Sequence, residues 1–352
     1  MRHRVYEKVR TCLRLLAMLL ATSGAMNAAC ADDDAPIRLG DYELGRGLAL
    51  GGTGATLGGY ATARYQDPEG GKGQLSLDHL SMMLWWEGAG RFRFFTEVDL
   101  QKGVATRRDT PDDDSFLSLE RIYVDYVATD SVTLRAGKYL TPIGRWNQIH
   151  ADPLVWTTSR PMVTDQVFPS TATGVMVLGT VPLLAIGLDY QVFVEAGSDR
   201  RPTPNEDPFS EARGLHLNAP LTPELQIGLS LASFEQEDMP NDHKQLVGLD
   251  FLWTQRRWEL SGEGVYRSSS LGADNAEYGG YVQLVAPLTE RLYAVTRAEL
   301  FRFAGDSSAR AWVAGLNYRY RGTLTLKAEW VEGHDLPPGL QEGFLASASI
   351  LF

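Results

Sequence analysis

Apolar and polar residues alternate with a period of two along most of this chain, and few stretches carry a 3.6-residue apolar repeat over three turns. In 91–101, Phe92, Phe94, Val98 and Leu100 share one face, while Arg91, Arg93, Glu97, Asp99 and Gln101 share the other. In 322–332, Leu324, Leu326, Ala328 and Trp330 oppose Thr325, Lys327 and Glu329. The pattern predicts sixteen strands, at 54–66, 74–87, 91–102, 116–128, 131–141, 172–181, 186–196, 211–219, 224–234, 244–254, 257–268, 276–286, 290–303, 308–320, 322–333 and 342–352. Fourteen and eighteen are the alternatives, because the glycines at 51, 52, 54, 58 and 59 weaken the first strand.

Alternation alone suits either a soluble sandwich or a closed barrel, and connection length separates them. Gly88-Ala89-Gly90, Thr129-Asp130, Thr254-Gln255-Arg256 and Pro287-Leu288-Thr289 are short, whereas 103–115, 142–171 and 197–210 are long. Short turns at one end and long loops at the other mark a transmembrane antiparallel β-barrel, an all-β fold class. Acidic clusters, Asp112-Asp113-Asp114 and Glu235, Glu237, Asp238, fall at the long-loop end. Trp85, Trp86, Trp253, Trp258, Tyr318 and Tyr320 sit beside the short turns, as an interfacial aromatic girdle requires, with Trp312 and Trp330 near the outer rim. An Arg on the lipid face near the midplane costs about 2–4 kcal/mol, so the charged face of 91–101 must be the lumen.

Residues 1–31 carry Arg2, Arg4, Lys8, Arg10 and Arg14, the apolar run Leu13 to Ala21, and small residues ending Ala29-Cys30-Ala31. These are the features of a secretory signal peptide, with lipidation at Cys30 the competing reading. Cleavage after Ala31 removes both cysteines and leaves 28 basic against 43 acidic residues, a net charge of −15. No disulfide framework or thiolate metal site is then expected, and an acidic chain is a poor partner for nucleic acid. No later run is apolar enough for a transmembrane helix. The expected organisation is a signal peptide at 1–31, an N-terminal periplasmic segment at 32–53, and a barrel at 54–352 in the outer membrane.

The final residues, with Phe344, Ala346, Ala348, Ile350 and Phe352 on one face, resemble the carboxy-terminal signal of bacterial outer-membrane proteins. The resemblance implies that Phe344, Ile350 and Phe352 are read by the barrel-assembly machinery. Phe352 is then expected at the closing seam, against the first strand.

A barrel of about sixteen strands is too wide for side chains to fill and leaves an aqueous channel. That predicts passive diffusion of small hydrophilic solutes or ions, with no cofactor and no catalytic site. His79, His150, His216, His243 and His334 fall in no nucleophile-elbow or HExxH motif. A barrel enzyme or surface-binding protein is the second reading, and a secreted sandwich the third. In the 142–171 connection the stretch 142–161 contains Trp146, Trp156 and three prolines, a composition unlike a disordered loop. It is expected to fold into the lumen and bring Arg145, His150, Asp152 and Arg160 to a constriction; packing over the rim or against a neighbouring subunit is the alternative. Arg91, Arg93, Arg121 and Arg135 fall on three consecutive strands. They form either a basic stripe favouring anions or one half of a set of salt bridges. By facing, ten basic lumen residues oppose eleven acidic ones.

The stretch Leu134-Arg135-Ala136-Gly137-Lys138-Tyr139-Leu140-Thr141-Pro142-Ile143-Gly144, the Trp-containing loop and Thr173-Gly174-Val175-Met176 resemble the porins of the phosphate-selective O and P superfamily. The resemblance implies a sixteen-stranded, trimeric porin whose third outer loop folds inward. Phosphate selectivity is not implied, given the near balance of lumen charge.

Overall fold

The computed structural model describes residues 38–39, 41–107, 115–149, 151–183, 186–197 and 206–352. The proposed signal peptide, the Asp112–Asp114 cluster and His150 lie outside the described residues. Three short strands, β1 (Arg38–Leu39), β2 (Tyr42–Glu43) and β3 (Gly47–Ala49), precede the barrel, and Leu48 of β3 pairs with Leu57.

Sixteen long antiparallel strands follow: β4 (Ala55–Pro68), β5 (Gln74–Glu87), β6 (Phe92–Ala105), β7 (Phe116–Thr129), β8 (Val132–Leu140), β9 (Thr171–Leu183), β10 (Ile186–Glu195), β11 (Phe209–Pro220), β12 (Leu225–Gln236), β13 (Met239–Gln255), β14 (Trp258–Ser269), β15 (Glu277–Pro287), β16 (Leu292–Arg302), β17 (Ser308–Tyr320), β18 (Leu324–His334) and β19 (Gly343–Leu351). Each pairs with the next, and β19 returns to β4, so the sheet is closed. Closure removes the edges that a hydrocarbon environment cannot satisfy. At the seam Leu351 faces Tyr60, while the N–H groups of Phe352 and Gly59 each donate to the other's carbonyl at 2.9 Å.

The alternation in sequence becomes an inside and an outside. Along β13 to β17 the outward Leu249, Val282, Leu300 and Trp312 are 49–64% exposed, whereas the inward Leu246, Arg297, Glu299 and Ala311 are nearly inaccessible. A continuous apolar outer face of this kind is a lipid contact, since water would disfavour it at about 25 cal/mol per Å². Among the described residues no helix is long and apolar enough to cross a membrane; the strands do so.

Two departures from strict alternation matter. The Glu235, Glu237, Asp238 cluster was expected in a long connection, but β12 and β13 run on to form a tight hairpin around residues 237–238. Bulges interrupt the ladders at one level of the wall: pairing jumps from Leu77 to His79 on β5, and from Glu97/Arg121 to Val98/Leu119 between β6 and β7. A bulge puts two successive side chains on the same side of a strand. Asp78 and Glu120 are the extra residues, and both are buried with their neighbours on the inner face.

Candidate functional site

Residues 141–170 leave β8 and run along the inner wall. Two short helices punctuate them, α1 (Trp146–Ile149) and α2 (Met162–Asp165). The entry turns on Gly144, whose φ of +66° is the left-handed region open to glycine. An added Cβ there would lie 2.2 Å from Glu263 Oε2, so that carboxylate would have to shift.

The loop backbone is gripped by inward carboxylates. Glu263 accepts the N–H groups of Arg145 and Trp146 at 3.1 and 2.5 Å, and the Tyr281 hydroxyl at 3.0 Å. Glu329 accepts those of Thr158 and Ser159 at 2.8 and 2.7 Å, and Glu299 accepts that of Met162 at 2.7 Å. Cations hold the carbonyls: Lys327 donates to Asp152 and Thr157, Arg267 to Val167, and Arg319 to Leu154. Arg297, fully buried, donates to Glu299, to the Thr157 and Ser159 hydroxyls, and to the Ser159 carbonyl. Beneath these bonds lies a core that belongs to the lumen. Ile143, Trp146, Met162, Val163 and Val167 are at most 5% exposed and share a cluster with the inward Tyr281, Phe301 and Leu246.

The loop's contacts are therefore concentrated on β12–β19, and its other edge faces β4–β7. On that side Asp152, Arg160 and Asp165 of the loop and Arg64 and His79 of the wall are each 18–42% exposed, and His79 Nε2 lies 3.9 Å from Asp152 Oδ2. Arg160 lies 3.5 Å from Asp165, and Arg64 lies 2.7 Å from Asp78. Burial acts to raise the Asp152 carboxyl, but His79, Lys327, Arg64 and Arg160 hold it well below the usual carboxylate range. This mixed-charge cluster is the candidate constriction.

Of the eight residues expected at the pore, His150 lies outside the described residues and the other seven separate into three groups. Asp152 and Arg160 lie in that cluster, as just described. Arg145 is drawn to the opposite wall, where its guanidinium donates to Gln226 at 3.2 Å beside a cavity of about 140 Å³ lined by Trp146, Trp156 and Glu259. The four arginines of the expected stripe hold partners of their own. Arg121 pairs with Glu97 at 2.6 Å, Arg135 grips Asp125 through two bonds of 2.7 and 2.8 Å, Arg93 lies 3.6 Å from Glu87, and Arg91 donates to the Ala128 carbonyl. Phe344, Ile350 and Phe352 are on β19 or just beyond it, with the Phe344 ring 6.3 Å from that of Tyr65 and Ile350 37% exposed.

Arg64, Asp78, His79 and Glu120 were missed as a group. The bulges carry three of them to the inner face, and a bulge breaks the period that facing was read from. Gly103 and the adjacent Lys102, at φ +50°, were the available sign of an irregular strand beside β5.

The same architecture occurs in solved outer-membrane proteins. The anion-selective porin from Comamonas acidovorans superposes with a TM-score of 0.58 at 14% identity, covering 84% of this chain and 98% of that one. The fold is that of the outer-membrane porins. The outer membrane channel DcaP of Acinetobacter baumannii gives a TM-score of 0.57 at 11% identity, covering 87% of this chain and 100% of that one. The trimer form of in-vitro folded OmpT, an outer membrane protein of Vibrio cholerae, gives 0.58 at 8% identity over 85% and 99%. With this porin fold and its apolar outer belt, the chain is a barrel of the bacterial outer membrane. No family model matches the chain. An uncharacterized protein of Aquifex aeolicus (strain VF5) is 23% identical over 148 residues, 41% of this chain, and the match spans about a third of that relative's length.

Proposed function

We propose that the protein is a porin that lets small hydrophilic solutes cross the outer membrane by passive diffusion, through the gap between the loop edge and β4–β7. The observation that carries this reading is the distribution of contacts: the loop is anchored to one side of the barrel and presents partly exposed Asp152, Arg160 and Asp165 towards Arg64 and His79 on the other. A passing solute would meet charges of both signs. Liposome swelling with sugars of graded size tests the function. Swelling that falls off with solute size supports it, and no swelling with the smallest sugar refutes it.

The Comamonas neighbour is anion-selective by name. In this chain Arg121 and Arg135 are neutralised by Glu97 and Asp125, which argues against a basic stripe and against a phosphate-selective path. Ion preference therefore rests on Arg64 and Arg160 against Asp152 and Asp165, and it is weak. A screening length of about 8 Å at physiological salt confines each charge to its local cluster. A homotrimer is proposed by analogy with the trimeric neighbour, and crosslinking of the folded protein in detergent tests it.

A further inference from the structure

His79 lies among three carboxylates. Its Nδ1 is 2.6 Å from Asp99 Oδ2, and its Nε2 is 3.5 Å from Asp78 Oδ2 and 3.9 Å from Asp152 Oδ2. Asp99 is fully buried, and when an arriving metal ion displaces the proton on Nε2, the ring keeps its Nδ1–H on Asp99 and turns the Nε2 lone pair towards the other two. That arrangement, a carboxylate behind an imidazole, orients histidines towards metal ions. In front of the ring, Oδ2 of Asp78 and Oδ2 of Asp152 are both shut off from solvent and accept no hydrogen bond. Asp78 is only 8% exposed, and its one charged neighbour on that oxygen, Arg64, leaves a second lone pair unused.

Donor atoms from Asp78, His79 and Asp152 lie within 4.8 Å of one another. Around a tetrahedral ion with bonds of about 2.0–2.2 Å, neighbouring ligand atoms are separated by about 3.3–3.6 Å. The 3.5 Å separation from Asp78 falls in that range, and the 3.9 Å separation from Asp152 has to shorten by a few tenths of an ångström on binding.

We propose that Asp78, His79 and Asp152 bind a divalent transition-metal ion of the zinc type, and that the ion cross-links the loop to the wall. One imidazole with two carboxylates suits Zn²⁺ rather than Mg²⁺ or Ca²⁺, which take oxygen donors. Asp78 and His79 belong to β5, and Asp152 belongs to the loop edge that faces it. The two carboxylate oxygens are shut off from solvent, so an ion from the lumen enters past the partly exposed side chains of His79 and Asp152. Lys327, bonded to the Asp152 carbonyl, already holds the loop backbone within reach of the wall. Zinc narrows the passage, and a chelator restores it.

The effect on conductance rests on the channel reading above, whereas the binding does not, and the two are measured separately. Folded full-length protein is stripped with EDTA and titrated with ZnCl₂ by calorimetry, with CoCl₂ giving the d–d absorption of a bound ion. The expected result is one Zn²⁺ per chain, no response to MgCl₂, and at least tenfold weaker binding in both His79→Gln and Asp152→Asn. Heat-modifiable gel migration checks that each variant is folded, and Asp152→Asn leaves every strand ladder intact. Zinc binding that is absent, or equal in both variants and the parent, overturns the site. In planar bilayers, micromolar ZnCl₂ should lower single-channel conductance of the parent reversibly and leave that of both variants unaffected by zinc. Stoichiometric binding without a conductance change overturns the cross-link. Absence of channels in EDTA refutes the porin reading instead, and calorimetry then judges the site alone.

Discussion

Replacing Arg297 with Met should undock the loop while leaving the barrel intact. The guanidinium is inaccessible to solvent and makes bonds of 2.5–3.0 Å to the Thr157 hydroxyl, the Ser159 hydroxyl and carbonyl, and Glu299. Met is similar in length and apolar, so the cavity left behind is small. The main loss is electrostatic: Glu299 stays buried with only the Met162 N–H for a partner. Breaking a buried ion pair from one side costs about 3–5 kcal/mol. At about 1.4 kcal/mol per tenfold change, that shifts the ratio of undocked to docked loop by roughly 10²–10⁴. The ladders that β16 forms with β15 and β17 are backbone bonds and do not involve the side chain. Trypsin cleavage after Arg145 in folded, detergent-solubilised protein reports undocking, and single-channel conductance reports its consequence. Faster cleavage and a larger, noisier conductance are expected. Unchanged cleavage and conductance in a variant that still shows heat-modifiable migration would show that the anchor carries little energy, and the reasoning from burial would be wrong.

Gly144→Ala should release the same loop at its entry, because the new Cβ displaces Glu263 from the Arg145 and Trp146 N–H groups; conductance should rise, and cleavage after Arg145 should accelerate. Removing Phe352 deletes two backbone bonds to Gly59 at the seam, so the heat-modifiable fraction should fall while channels that do assemble conduct normally. In a tenfold KCl gradient the reversal potential should lie close to zero, and Arg64→Ala with Arg160→Ala should move it towards cation preference; a strongly anion-selective parent would contradict the pairing of Arg121 and Arg135 with carboxylates. Phe344→Ala, which removes an aromatic neighbour of Tyr65 on the same barrel face, should slow assembly without altering conductance.

The barrel was legible in the sequence because a membrane imposes one rule on every strand. Each must alternate, and the cost of a lipid-facing charge leaves little freedom in which face is which. The sixteen strands and the pairing of Phe352 with the first strand followed from that rule, whereas the outer ends of β6, β12 and β13 did not. The constriction was less legible for two physical reasons. Asp78 with His79 and Glu120 with Arg121 reach the lumen through bulges, which reverse facing locally and leave no period to read. The acids at 263, 299 and 329 were counted as pore charge, yet their work is to accept loop N–H groups. Which lumen charges face water depends on where the loop lies, and that is a tertiary fact. Trp146 and Trp156 signalled an ordered loop. Their partners, Tyr281 for one and Glu259 with Arg319 for the other, sit more than a hundred residues away.

The central claim, a sixteen-stranded pore narrowed by residues 141–170, is tested most directly by single-channel recording of the parent and of a variant lacking 146–158. The account predicts discrete conductance steps for the parent and clearly larger steps for the deletion, with both proteins folded. Equal steps, or no channels from folded parent protein, would contradict it.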